Sequence, residues 1–111
     1  LILFSLTAKL ILVLRQQIMF RTYRRFFELK KNAINYLNGR GSLEDRLSKA
    51  IFEIAYINNN DVPEPVWDKV QSLIDRCSTH KAEGDEGIFM ASIRKMSFEE
   101  KEALERDIKN L

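Results

Sequence analysis

Cys77 and His80 stand in a Cys-x-x-His step, a spacing that can bring two ligands to one metal ion or a thiol to a base. A closed zinc site needs four ligands, and the chain contains no second cysteine or histidine. Nucleophilic catalysis needs a third group to orient the imidazole, and the spacing supplies none. The pair therefore reads as a buried cysteine beside a solvated histidine, with no metal and no catalytic role. Asn58 to Asp61 offers oxygen ligands but lacks the alternation, central glycine and bidentate acid of a calcium loop, so it reads as a solvated turn. Gly84-Asp85-Glu86-Gly87 is glycine-bearing yet acidic, the wrong sign for a phosphate cradle. Glu99 and Glu102 belong on an exposed helical face, where nothing raises a carboxyl pKa toward catalytic values. No catalytic residue, cofactor motif or small-molecule substrate is evident, and a non-enzymatic protein is expected.

The remaining chemistry is basic and aromatic. Arg21, Arg24 and Arg25 lie among Phe20 and Tyr23, with Lys31 two turns further on. Guanidinium groups contact phosphates and aromatic rings stack on bases, so this cluster could serve nucleic acid. The same Phe20, Tyr23 and Phe27 recur at helical spacing and are read more economically as core residues, with the arginines facing a protein partner or the acidic final helix. Arg21, Tyr23, Arg24, Arg25 and Lys31 are the candidate partner-binding residues. A protein partner or a second copy of the chain is the preferred reading. The alternative is a nucleic-acid-binding accessory protein that uses the basic face of residues 15–31.

Charge is split along the chain. Residues 1–40 carry eight basic side chains against the single acid Glu28, whereas the rest carries ten basic against fifteen acidic, for a net charge of +2. Such a split suits an anionic partner, or two faces that attract one another within the fold or across a dimer.

The elements that must position these residues are helical. At 111 residues, 45% hydrophobic and 31% charged, with four Gly and two Pro, the chain is too apolar for disorder and too poor in turn residues for a many-stranded sandwich. An all-α fold follows: a small helical bundle with a long or broken N-terminal helix and a short irregular or extended segment near residues 88–96. One cysteine cannot form an internal disulfide, and a cytoplasmic setting is the default.

Residues 1–14 hold eleven apolar side chains, broken by Ser5, Thr7 and Lys9, before the composition changes at Arg15. The run is too short to span a bilayer and lacks the flanks of a signal peptide, so a membrane surface is the least favoured partner. Residues 1–18 read as an apolar extension upstream of a start at Met19, and 19–111 as a single helical domain. A continuous helix over residues 1–37 would be about 55 Å long, too long for the remaining helices to cover, and its bare end would seek a partner.

Phe20, Tyr23, Phe27, Ile34 and Leu37 predict a helix ending at Asn38 and Gly39, both tolerant of the left-handed conformation. Ser42 caps a second helix from Leu43 carrying Leu47, Ala50, Ile51 and Ile54. Pro63 and Pro65 fit the first turn of a third, with Trp67, Val70, Leu73, Ile74 and Cys77 on one stripe. Ser97 to Glu100 is a capping box opening the last helix, whose buried stripe includes Leu104.

From Gly41 onward, Gly41-Ser42-Leu43-Glu44-Asp45-Arg46-Leu47, Asp61-Val62-Pro63, Glu86-Gly87-Ile88, Ala91-Ser92-Ile93 and Met96-Ser97-Phe98-Glu99-Glu100 resemble small, uncharacterised bacterial helical proteins of similar size. The resemblance covers about seventy residues and implies a bacterial origin. It brings no activity or functional residues, and Lys81 to Asp85 is an insertion relative to it.

Overall fold

The computed structural model describes residues 2–82, 84 and 86–111, including side chains except those of residues 2–5 and Phe20. Among these, six α-helices and one 3-10 turn form an all-helical bundle without strands: α1 (Ile2–Thr22), α2 (Arg24–Leu37), α3 (Leu43–Ile54), a 3-10 turn (Asn59–Asp61), α4 (Glu64–Arg76), α5 (Ile88–Arg94) and α6 (Phe98–Lys109).

The N-terminal helix is broken at Tyr23, whose φ of −110° and ψ of 27° leave the helical region. Hydrogen bonds from Tyr23 N to Met19 O (2.9 Å) and from Phe27 N to Tyr23 O (3.1 Å) still cross the break, so α1 runs directly into α2. The helix passes through Met19 without interruption.

α3 is the hub. It packs against α2, α4, α5 and α6 and buries Leu47, Ala50, Ile51 and Ile54 at helical spacing. Phe26, Ala33 and Leu37 of α2, Val70 and Leu73 of α4, Ile93 of α5, and Leu104 and Ile108 of α6 complete the core. Trp67 and Ile74, expected in that core, lie half-buried at its rim. Burying these side chains supplies the main stabilisation, since each fully covered Leu or Ile contributes about 1.5–3 kcal/mol.

The caps anticipated from sequence are in place. Ser42 Oγ accepts from Asp45 N at 3.1 Å, and Ser97 Oγ accepts from Glu100 N at 3.2 Å while Glu100 Oε1 accepts from Ser97 N at 3.3 Å. In the α2–α3 connection the left-handed residue is Gly41 (φ 111°), whereas Asn38 is right-handed at φ −89°. Arg46 closes this turn by donating to Leu37 O (2.7 Å), a carbonyl left free at the end of α2, and to Gly41 O in the connection (3.3 Å).

Residues 88–94 are helical, against the extended or irregular segment expected there. Gly87 adopts an extended N-cap conformation and its carbonyl accepts from Ala91 N at 3.0 Å. Three consecutive residues, Ala91, Ser92 and Ile93, are then buried against the bundle. A short helix buried on so much of its circumference has neither a one-sided stripe nor a strand alternation, so its periodicity is blank.

Ion pairs join the helices: Lys101 of α6 to Glu44 of α3 (2.8 Å) and Arg76 of α4 to Asp107 of α6 (2.7 Å). The Lys101 ammonium, as hydrogen-bond donor and neighbouring charge, holds the Glu44 carboxyl below its ordinary pKa. The molecule measures 64 × 25 × 20 Å with a radius of gyration of 17.5 Å, against about 13 Å for a compact chain of this length. α1 accounts for the excess, because its 21 residues span about 32 Å and none of its described side chains lies in the core.

Candidate interaction surface

Eight large apolar residues of α1, Leu6, Leu10, Ile11, Leu12, Val13, Leu14, Ile18 and Met19, are 46% to 64% exposed. Successive positions 10–14 point in all directions around a helix, so the apolar surface encircles α1 instead of forming a stripe. A helix apolar on every side ordinarily lies inside a larger assembly or in lipid. Lys9 and Arg15 interrupt the run, and among the described residues no helix is long and apolar enough to cross a membrane.

The five candidate partner-binding residues divide between fold and surface. Tyr23 sits half-buried at the helix break and packs on the core. Arg25 is a structural clamp: Nη2 donates to Tyr56 O at 3.1 Å and Nε lies 3.2 Å from Asp61 Oδ2, tying α2 to the end of α3 and the 3-10 turn. Arg24 is exposed and paired along its own helix with Glu28 at 3.0 Å. Arg21 and Lys31 are exposed, with no ion-pair partner among the described residues. The arginines do not meet the acidic final helix, whose Glu105 and Asp107 pair instead with Lys109 and Arg76. Phe20, proposed for stacking, lies outside the described side chains.

No family model, curated protein or solved structure matches this chain. Its surface must speak for itself.

Sequence reasoning passed over one exposed feature. Phe52 and Tyr56 form an edge-on pair with ring centroids 5.4 Å apart at 83°, both more than half exposed. Arg25 of α2 donates to the Tyr56 carbonyl and so ties the backbone of this pair to the first turn of α2. Their i, i+4 spacing was the available signal, although Tyr56 lies just past the end of α3.

The remaining motifs are accounted for by packing and capping. Cys77 is buried at the end of α4, and loss of solvent pushes its thiol up to about 12, so no thiolate is present for chemistry at neutral pH. His80 is exposed, and its Nδ1 lies 2.9 Å from Thr79 Oγ1. Asp61 accepts from Asn58 N at 2.9 Å and faces Arg25, so the Asn58–Asp61 run is a capped turn. Glu99 and Glu102 are exposed on α6. In the acidic loop, Glu86 lies 2.8 Å from Arg94 Nε, while Glu83 and Asp85 lie outside the described residues.

Proposed function

We propose that this chain is a small non-catalytic interaction protein of the bacterial cytoplasm, binding a protein partner or a second copy of itself through α1. The supporting observation is the ring of eight exposed apolar residues on a helix that the bundle leaves uncovered. Contiguous apolar surface of this kind is uncommon on a monomer and marks an association site, because covering it releases water and lowers the free energy. The exposed Phe52–Tyr56 pair adds aromatic side chains of the type that anchor protein interfaces. Arg21 and Lys31 at the rim would tune encounter rate more than affinity. Nucleic-acid binding ranks second because Arg25 is engaged within the fold and Arg24 is paired with Glu28.

The test compares the full chain with the double variant Leu10→Asp, Leu14→Asp and with the triple variant Arg15→Ala, Arg21→Ala, Lys31→Ala. Light scattering of the purified chain should show an oligomer. If the parent is monomeric, cross-linking in a bacterial lysate should yield a discrete protein adduct. Either association should vanish in the double variant and survive in the triple variant. Binding of labelled DNA or RNA that falls steeply with salt, and that only the triple variant abolishes, would replace this reading with the nucleic-acid one.

A further inference from the structure

Ile18 and Phe98 are the two most exposed large apolar side chains among the described residues, at 64% and 62%. Their surroundings carry opposite charge. Ile18 lies on α1 between Arg15 and Arg21, each three residues away and so on the same side of the helix. Both arginines are exposed, with no ion-pair partner among the described residues, and no acid precedes Glu28 in the chain. Phe98 opens α6 beside Glu99 and, one turn on, Glu102, whose carboxylates are exposed and equally unpaired. The cations of α6 are engaged elsewhere: Lys101 with Glu44 at 2.8 Å, Lys109 with Glu105 at 3.4 Å and Arg106 beside Asp107 at 4.0 Å. Lys95, in the turn before the cap, is the one unpaired cation next to this segment, so the patch around Phe98 keeps an acidic excess.

Within one copy these surfaces do not cover each other, since both apolar side chains stand in solvent and no ion pair joins the α1 arginines to α6. Their patterns nevertheless match: an apolar residue flanked by two cations, and an apolar residue flanked by two carboxylates. Docking one on the other would bury both apolar groups and set opposite charges at the rim, the usual anatomy of a specific protein interface.

A second α1 is a poorer cover for α1. It carries Lys9, Arg15 and Arg21 and no acid, so two such helices would bring like charges together. Area separates the arrangements too. Covering one side of a helix about 32 Å long and about 10 Å across removes about 500 Å² from each of the two surfaces in contact. A lone α1–α1 contact would then bury about 1,000 Å² in total, short of the roughly 1,200–2,000 Å² of a stable interface. Two contacts, one from each α1 onto the other copy's bundle, would bury about 2,000 Å², which suffices.

We infer that two copies of this chain exchange their N-terminal helices, the α1 of each lying on the Phe98, Glu99 and Glu102 face of the other. The result is a closed twofold dimer: both copies of each surface are used, and none is left to recruit a third chain. This inference rests on the association through α1 proposed above and names its partner as a second copy. It also gives the charge split along the sequence a role, because the basic N-terminal part of one copy meets the acidic remainder of the other.

The experiment is sedimentation equilibrium of the full chain over a concentration series, with circular dichroism to confirm that each variant is folded. The parent should have the mass of a dimer. Phe98→Ala should weaken dimerisation about tenfold, as truncation of a buried aromatic anchor does. Two charge-reversal variants, Arg15→Glu with Arg21→Glu and Glu99→Lys with Glu102→Lys, should each be weakened by about tenfold or more, because like charges then face one another. Neutralising the arginines to Ala leaves the apolar contact in place and is tolerated. An equimolar mixture of the two reversal variants should regain the dimer, since each altered surface meets its altered counterpart and each native surface its native one. A dimer lost in Leu10→Asp, Leu14→Asp but untouched by Phe98→Ala and by the Glu99, Glu102 reversal would overturn the exchange and leave association through α1 standing. A parent that stays monomeric overturns the exchange and leaves a foreign protein to cover α1. Growth past the dimer with concentration, or no recovery on mixing, also overturns it.

Discussion

Ile51 and Phe52 are neighbours in sequence on the hub helix, yet one is 0% and the other 55% exposed, so truncating each in turn measures how the α3 face is assigned. Ile51→Ala removes three carbons, worth about 2.4 kcal/mol of transfer free energy at roughly 0.8 kcal/mol per methylene. A cavity term adds to this, because α3 is walled by α2, α5 and α6 and the site cannot collapse freely. The total belongs in the upper half of the roughly 2–5 kcal/mol range seen for such changes. A chain of this length is stabilised by about 5–15 kcal/mol, so the variant loses a large share of its margin while remaining foldable. In urea denaturation followed by circular dichroism, the midpoint should fall by more than about 1 M for an m-value of about 1–3 kcal/mol/M. Phe52→Ala should change stability by less than about 1 kcal/mol, the edge-on contact with Tyr56 being its main packing loss. Equal losses in the two variants, or a change within about 0.5 kcal/mol for Ile51→Ala, would refute the packing of α3.

Three further outcomes are expected. Ser97→Ala should cost about 1 kcal/mol in the same denaturation assay, because it removes the acceptor for Glu100 N while the chain keeps its fold; no measurable loss would show that the capping box does not form in solution. Cys77 should react with a thiol reagent only as fast as the native chain opens, and immediate stoichiometric labelling would contradict its burial. Its thiol is raised from 9.0 to about 12, so between those values the unfolded chain has given up a proton that the folded chain retains. Stability should therefore fall as pH rises through that window, by up to about 1.4 kcal/mol per unit from this group, and Cys77→Ala should remove that slope.

What the sequence makes legible is what neighbours decide. Ser42, Ser97 and the proline-bearing first turn of α4 are readable because the groups they satisfy lie within three residues. Leu47, Ile51, Ile54, Val70, Leu73 and Leu104 are readable because one buried face imposes a helical period. α5 is not, since burial of three consecutive residues erases any period. Arg25 looked like surface chemistry and is a clamp, because its partners Tyr56 and Asp61 stand thirty-one and thirty-six positions away. The meeting of His80 with Ser92 across the acidic loop is likewise a product of the folded chain.

Among the described side chains the core begins at Phe26, and none of those N-terminal to Tyr23 is buried in it. Among the described side chains, the packed core and the exposed apolar surface of α1 are therefore carried by separate residues. A substitution at one of the exposed α1 residues, such as Leu10 or Leu14, should be nearly silent for folding, and one at Ile51 leaves the α1 surface chemically unchanged. Selection, or an engineer, can exchange the exposed part of this appendage for another segment, lengthen it or fuse it to a foreign domain without renegotiating the described core. Tyr23 marks the seam between the two, with its ring on the core and its backbone at the break.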